Sequence, residues 1–231
     1  MDVMRRAVVV VAVIDALAIV GLVVGHPGFW LQPSALFYVV PALVMLGVYA
    51  VGGLSLIVWP TMVPPTALRG GAVVGLALGI VEIINITVET FGGLNGTTNI
   101  AVTAPLILGP FLVWGWVGAH WARRAATTAA GLTATYAAAA VTMLSGVTFG
   151  LLLVALAPDR IANGLLGDPD FARSGWDDVH LFALANTFEN AFTHLLGALV
   201  VATFAGIIGT VLGLLRARRH DAPIRPRDTS G

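Results

Sequence analysis

Residues 71–89, GAVVGLALGIVEIINITVE, contain the pattern that decides the fold. Apart from two glutamates, an asparagine and a threonine, the stretch holds only apolar residues and glycine. At about 1.5 Å per residue, a helix of this length reaches about 28 Å, close to the roughly 30 Å of a bilayer's hydrocarbon core. At about 100° per residue, one side of the helix carries Gly75, Gly79, Glu82, Asn85, Ile86 and Glu89. Because carboxylates are costly in lipid, this side is predicted to face other helices or a wet cavity. Gly71, Gly75 and Gly79 stand four residues apart, so this half of the face is predicted to permit close helix contact.

The composition of the whole chain also indicates a membrane protein. Of its 231 residues, 58% are hydrophobic and only 10% are charged, whereas soluble proteins carry about 25% charged residues. The basic residues are all arginine and there is no cysteine, which excludes lysine Schiff bases, disulfides and thiolate metal sites. The 12 basic and 12 acidic residues balance, so we expect no nucleic-acid partner.

Six apolar stretches are long enough to cross a bilayer as helices. They are residues 7–24, 35–58, 72–91, 101–121, 127–157 and 179–215. The sequence therefore predicts an all-α fold, a polytopic integral membrane bundle of six transmembrane helices. We expect this bundle to form a single domain over residues 1–220, with the lipid bilayer around it.

The arginines predict the orientation, since short cytoplasmic loops retain positive charge. Ten of the 12 arginines fall on one side of the predicted bundle, and the other side has only Arg160 and Arg173. Both termini are therefore predicted to lie in the cytoplasm, in a multi-pass protein of the cell membrane. Residues 221–231 are predicted to form a disordered cytoplasmic tail.

The segment 158–178 is predicted to be an acidic extracytoplasmic loop. It contains five aspartates, and turns are indicated at Gly164, Gly167, Pro169 and Gly175. The apolar stretch that follows is too long for a simple crossing, because about 37 residues of helix reach about 55 Å. Residues 177–193 are therefore expected to form either an outer extension of the last span or a separate interfacial helix.

Polar residues gather near the outer ends of the third and the sixth predicted spans. The third span runs outward and the sixth inward, so their polar ends are expected at similar depth. We predict that they share a cavity on the outer side, with a residue of the first span at its floor. The candidate residues for binding a substrate or a proton are Asp15, Glu82, Asn85, Glu89, Asn186, Glu189, Asn190 and His194.

These two spans share a short sequence pattern. Two segments, 105 residues apart, share an asparagine, an ionisable residue four positions on and a glycine three positions further, at Asn85, Glu89 and Gly92 and at Asn190, His194 and Gly197. Three spans followed by three spans is compatible with an inverted repeat, in which a binding site lies between the halves. The alternative is that the match is due to chance and the amides only join neighbouring helices.

These features favour a small-solute or proton-coupled transporter, or the substrate-binding membrane subunit of one, with a small solute or a cation as its ligand. A carboxyl group inside the membrane is typical of substrate and proton pathways. In gross layout, with six helices and a site open to the outside, the chain is similar to the vitamin-binding subunits of energy-coupling-factor transporters. The sequence favours a non-enzymatic protein, and no cofactor is expected.

Two alternatives concern partners and metals. Glycine-rich helix faces are also typical of a non-catalytic subunit or scaffold, which would contact a second copy of the chain or other membrane subunits. The sequence leaves metal binding open, because carboxylates and imidazole are metal ligands. A metal-binding membrane enzyme would use Glu82, Glu89, Glu189 and His194.

A third alternative rests on a resemblance. The segment Ser145-Gly-Val-Thr-Phe-Gly150 resembles the nucleophile segment of rhomboid proteases, and His194-Leu-Leu-Gly197 resembles their histidine segment. The resemblance implies a serine hydrolase with Ser145 as its nucleophile. Met143 stands where the family usually has a glycine, and no complete helix separates Ser145 from His194 as the family's layout requires.

Overall fold

The computed structural model describes residues 2–58, 64–91 and 96–220, and these residues form helices and no strand. The predicted all-α fold is therefore confirmed. The α-helices are α1 (Asp2–Gly25), α2 (Ala35–Val58), α3 (Pro65–Phe91), α4 (Gly96–Ala125), α5 (Thr128–Leu156), α6 (Pro158–Leu165), α7 (Pro169–Ser174) and α8 (Val179–His220), and a short 3-10 helix, Pro27–Leu31, lies between α1 and α2. The predicted tail, residues 221–231, lies outside the described residues.

Five of the described helices are long and apolar enough to cross a membrane. The qualifying segments are Arg6–Gly25, Ala35–Leu54, Pro65–Phe91, Thr128–Leu156 and Val179–Arg218. They match five of the six predicted spans. The remaining predicted span, residues 101–121, lies within the 30 residues of α4, and the count of six stays a prediction.

The helices begin and end where local sequence allows. Pro65 opens α3, a position where the missing N–H of proline costs no intrahelical hydrogen bond. The Thr127 side chain caps α5 by accepting a hydrogen bond from the Ala130 backbone N–H, 3.3 Å away. Arg123 and Arg124 occupy the last turn of α4, where positive charge interacts favourably with the helix dipole.

Two pairs of helices pack with their backbones in contact. On α3, a Cβ atom at Gly71 would overlap the carbonyl oxygen of Ala134 on α5, and one at Gly75 would lie 2.6 Å from the carbonyl oxygen of Ala138. The close approach predicted for this glycine face is therefore confirmed. On α8, Gly209 meets α4 in the same way, at the carbonyl oxygen of Gly115. Small residues permit such contact, and dispersion between the backbones stabilises it.

The segment 158–178 is more helical than the sequence predicts. Instead of an open loop with turns, it forms α6 and α7. Asp168 initiates α7, since its side chain accepts a hydrogen bond of 2.7 Å from the Asp170 N–H. Of the predicted turns, Gly175 ends α7 in the left-handed conformation, at φ 74°. Trp176 then anchors the segment, because its indole N–H donates to the Pro33 carbonyl at 3.0 Å.

The last helix, α8, is continuous for 42 residues. The separate interfacial helix considered for residues 177–193 was wrong, and the extension of the last span is what the structure shows. The helix starts at Asp178, whose side chain accepts a hydrogen bond from the His180 N–H at 2.7 Å. No proline or glycine interrupts it before Gly197. Its first turns bury Phe182 and Phe188 against the 3-10 helix and α7.

Candidate functional site

A polar cavity of about 300 Å³ lies between α3, α5, α6 and α8. It is at the end of the bundle where α6 follows α5, which we call the α6 end. The α5 wall is made of apolar and small residues, among them Met143, Gly146 and Gly150. The polar residues that line the cavity are Glu82, Glu89, Thr90, Arg160, Asn186, Thr187, Asn190 and His194.

Glu82 is the most buried ionisable residue of this cavity. Only 4% of its surface is exposed. It continues the face of α3 that carries the packed glycines, but here a glycine on the opposite helix makes the room. A Cβ atom at Gly146 of α5 would lie 2.8 Å from the Glu82 Cγ. The carboxyl group therefore enters the cavity beside α5 and not the lipid.

His194 of α8 faces Glu82 with one ring nitrogen. Its Nε2 lies 3.6 Å from the Glu82 Oε1. Its other nitrogen, Nδ1, lies 2.7 Å from the Asn190 carbonyl oxygen. A carbonyl oxygen only accepts hydrogen bonds, so Nδ1 carries the hydrogen.

The position of this hydrogen determines which protonation states the Glu82–His194 pair can adopt. In the neutral ring, Nε2 then has a lone pair that points at a carboxylate oxygen. Two acceptors at this distance repel each other unless a proton, another cation or a water molecule lies between them. With one proton, the pair is either a carboxylate with an imidazolium or a carboxylic acid with an imidazole. In both forms its net charge is zero.

Glu89 lies two helical turns beyond Glu82 on α3, at the more open part of the cavity. Its Oε1 accepts a hydrogen bond of 3.4 Å from the Asn85 side-chain amide. Asn85 is only 2% exposed, and its Oδ1 has no hydrogen-bond partner among the described residues. Asn85 thus lies behind the cavity wall and positions Glu89.

Arg160 is the charged residue of the cavity that the sequence analysis missed, as it also missed the hydroxyls of Thr90 and Thr187. It lies on α6, and its Cζ is 5.6 Å from the centre of the Phe91 ring at the end of α3, a cation–π contact. Within the described part of the chain, no carboxylate pairs with it. Its position in the sequence could have drawn attention to it. It is one of only two arginines on the predicted outer side, where the positive-inside rule expects few positive charges.

The other predicted site residues divide into two groups. Asn186, Asn190 and His194 line the cavity together with Glu82 and Glu89. Glu189 is exposed and does not line it, because it points to another side of α8. The expectation that Glu189 belongs to the same cluster is therefore not met.

Asp15 is also separate from the cavity. It is 1% exposed and lies between α1 and α5, where its two carboxyl oxygens are 2.9 Å and 3.1 Å from the Thr148 Oγ1. The cavity lining does not include it, so the predicted floor position is wrong. Thr148 lies on the side of α5 that faces α1, and its contact with Asp15 keeps the Asp15 carboxyl away from the cavity.

The side chains that the two enzymatic alternatives require do not come together among the described residues. Among the described residues, no group of three His, Asp or Glu side chains could hold a metal ion. The Ser145 hydroxyl donates to the Val141 carbonyl at 2.8 Å and faces Gly79 in the α3–α5 interface. His194 contacts Asn190 and Glu82 instead, so the described contacts give no serine–histidine pair.

The fold and the cavity together define the class of protein. Helices of this length and apolar composition, with a buried carboxyl group inside the bundle, make the chain an integral membrane protein of the helical-bundle type. Comparison with family models, curated proteins and solved structures gave no significant match. Any more specific function therefore depends on the chemistry of the cavity.

Proposed function

We propose that this protein is a proton-coupled transporter of a small solute, or the substrate-binding membrane subunit of one. The polar cavity is its binding site, and the Glu82–His194 pair carries the coupled proton. The observation that carries the proposal is the commitment of the His194 Nδ1 to the Asn190 carbonyl, which leaves Nε2 facing the buried Glu82 carboxyl.

The burial of Glu82 supports a role beyond packing. A charged carboxylate in a transmembrane helix costs about 2.5–3.5 kcal/mol on insertion scales. A purely structural contact does not need that group, since an amide would join the helices at lower cost. A carboxyl beside an imidazole, in a cavity of solute size, instead suits exchange of a proton for a bound cationic group.

The proposal includes the topology predicted from the sequence. We place α4 across the membrane as the sixth span, with both termini in the cytoplasm and the α6 end outside the cell. The inverted repeat is part of the proposal too. In its support, both of the segments that share this sequence pattern contribute residues to the cavity lining, Glu89 from one and Asn190 and His194 from the other.

The absence of cysteine makes the topology easy to test. The test treats intact cells with a membrane-impermeant maleimide. The cells carry one of two single variants, Asp170→Cys on α7 or Ala125→Cys at the end of α4. We expect labelling of the first only. Labelling of the second alone would contradict the proposed topology, because either the orientation is reversed or α4 does not cross, and labelling of both would contradict α5 as a span.

The coupling is tested with the full chain reconstituted in liposomes that contain a pH-sensitive dye. A panel of small charged solutes is added outside, and luminal pH is followed. We expect at least one solute to change luminal pH, and Glu82→Gln to abolish the change because a glutamine cannot carry the proton. Glu189→Gln, outside the cavity, is the matched control and should behave as the wild type.

Two results would contradict the proposal. One is that no solute in the panel moves protons through the wild-type protein. The other is a proton signal that persists in Glu82→Gln. A separate measurement is the carboxylic-acid C=O band in infrared spectra together with the ¹⁵N shift of His194. Absence of both a protonated Glu82 and an imidazolium at neutral pH would exclude the pair as a proton carrier.

The scaffold alternative loses its main support in the structure. The glycine faces that suggested subunit contacts, on α3 and on α8, are used within the chain against α5 and α4. Binding to a second copy or to another membrane subunit would have to use other helix faces, such as that of α2, where nothing lies within 4 Å of a Cβ atom added at Gly47 or Gly52. A transporter with an internal site agrees better with where the small residues and the polar residues lie.

A further inference from the structure

We infer that the solute is a small zwitterion, with its cationic group at Glu89 and its anionic group at Arg160. This inference rests on the proposed function, since it assigns a substrate class to the same cavity. It follows from the charges that remain in the cavity once the Glu82–His194 pair is counted.

The charge count has two steps. With one proton, Glu82 and His194 together are neutral. The remaining ionisable groups of the lining are Glu89, which is negative, and Arg160, which is positive. The cavity therefore presents one negative and one positive charge to a solute.

The two charges are not paired with each other. Among the described residues, the ion pairs involve Arg173 with Asp170 and the histidines 180 and 194 with Asp159 and Glu82. Within the described ranges, the partner of Glu89 is neutral, the Asn85 amide, and the partner of Arg160 is the Phe91 ring. A cation and an anion that lie in one cavity without contact are complementary to a solute that carries both signs.

Both groups are held in place from behind. Asn85 is buried in the α3 wall and directs the Glu89 carboxylate. The Arg160 Cζ lies 5.6 Å from the centre of the Phe91 ring, a contact that holds the guanidinium at the cavity, and guanidinium N–H groups suit a carboxylate or a phosphate. Such preorganisation reduces the entropy lost on binding.

The size of the cavity restricts the solute to a small one. Its volume of about 300 Å³ is at the lower limit of small-molecule sites. Asn186 and Asn190 on α8 add neutral hydrogen-bonding groups between the two charged walls. A short chain with an ammonium at one end and a carboxylate at the other fits these dimensions and charges.

The test measures the thermal unfolding midpoint of the full chain in detergent with matched probes. The zwitterions are β-alanine and 4-aminobutanoate, and the singly charged counterparts are propylamine and propionate for the first and butylamine and butanoate for the second. We expect at least one zwitterion to raise the midpoint, with an affinity at least about tenfold above that of either counterpart of equal length, because the counterpart leaves one charged group of the cavity without its partner.

Matched variants assign the two ends of the solute. Arg160→Gln and Glu89→Gln should each weaken zwitterion binding at least about tenfold. Arg173→Gln and Glu189→Gln, which change the same residue types outside the cavity, should leave it unchanged. Equal binding of amine and zwitterion, or no effect of Arg160→Gln, would overturn the zwitterion assignment, as would the absence of binding by every zwitterion.

The failure of this inference is distinguishable from failure of the proposed function. If another class of solute gives a proton signal that depends on Glu82, the transporter proposal holds and the zwitterion assignment is wrong. If zwitterions bind in an Arg160-dependent way but Glu82→Gln leaves proton movement unchanged, the substrate class holds and the proton pair is wrong.

Discussion

The interface between α3 and α5 has two halves that behave differently. In the half nearer the start of α3, Gly71, Gly75 and Gly79 bring the helix against α5 until backbone and small side chains touch. In the other half, Glu82 and Glu89 continue the same face of α3, and the polar cavity opens beside α5. The same two helices thus form a closed contact and one wall of a polar cavity within one interface.

The difference shows that side-chain size along one helix face determines where neighbouring helices of a membrane bundle come into direct contact. Glycine removes the side chain and lets dispersion act between backbones. Glutamate needs space, and Gly146 on the opposite helix provides it. The closed half holds the helices in place, so the open half can keep a carboxyl group in the bundle without collapsing around it.

The largest effect is expected where the closed half is broken. Gly71→Ala places a Cβ atom on the carbonyl oxygen of Ala134, so the helices must separate, at a cost of about 1–3 kcal/mol or more. The control is Gly47→Ala on α2, where nothing lies within 4 Å of the added atom. There we expect a gain of up to about 1 kcal/mol from helix propensity. Denaturation of the full chain in mixed micelles measures both, and equal stabilities would contradict the closed contact.

The next effect concerns the open half. Gly146→Ala would bring a Cβ atom within 2.8 Å of the Glu82 Cγ and force the carboxyl away from His194. We expect about a tenfold loss in the Glu82-dependent proton signal, equal to about 1.4 kcal/mol. Gly150→Ala is the matched control, since it also lines the cavity but its added atom meets nothing within 4 Å. A loss of similar size in both variants would show that the position of Glu82 is not the cause.

A smaller effect is expected at Asp15, a buried polar residue that lies outside the cavity. It tests whether this residue takes part in the function. Asp15→Asn keeps an acceptor for the Thr148 hydroxyl, so we expect a change in stability of about 1 kcal/mol or less. The proton signal and the binding of zwitterions should stay at wild-type values. If Asp15→Asn abolishes either one, Asp15 takes part in the function despite its place outside the cavity.

The smallest effect is expected within the closed half. The Thr142 hydroxyl lies 3.3 Å from the Gly75 carbonyl of α3 and 2.8 Å from the Ala138 carbonyl of its own helix. Thr142→Val removes this contact between the helices and should cost about 0.6 kcal/mol. Thr87→Val is the control, because the Thr87 hydroxyl bonds only within α3, at the Ile83 carbonyl. An equal loss in both would show that the hydroxyl of Thr142 does not join the helices.

Much of the architecture could be predicted from the sequence because it depends on single helices. Length and apolarity gave the spanning helices, and the four-residue spacing of glycines gave the packed face of α3. The segment 158–178 could not be predicted as well. Its prolines and glycines indicate turns, yet prolines 158 and 169 each begin a short helix, and tertiary contacts of Trp176 hold the segment on the bundle.

The site was predictable to the extent that it follows from periodicity. The 3.6-residue repeat places Glu82 and Glu89 on one face of α3, and Asn186 and Asn190 on one face of α8. Their meeting in one cavity needed both the antiparallel order of the spans and the tertiary packing. Arg160 was missed because α6 was not expected to fold over the cavity.

The sequence by itself determined that this chain forms apolar helices of membrane length, and that one face of α3 is small in one half and acidic in the other. Only the tertiary structure decided which helix lies against that face, that Arg160 joins the cavity, and that Asp15 and Glu189 stay outside it. The physical reason is that periodicity gives the direction of a side chain on its own helix. What lies opposite depends on how all the helices pack.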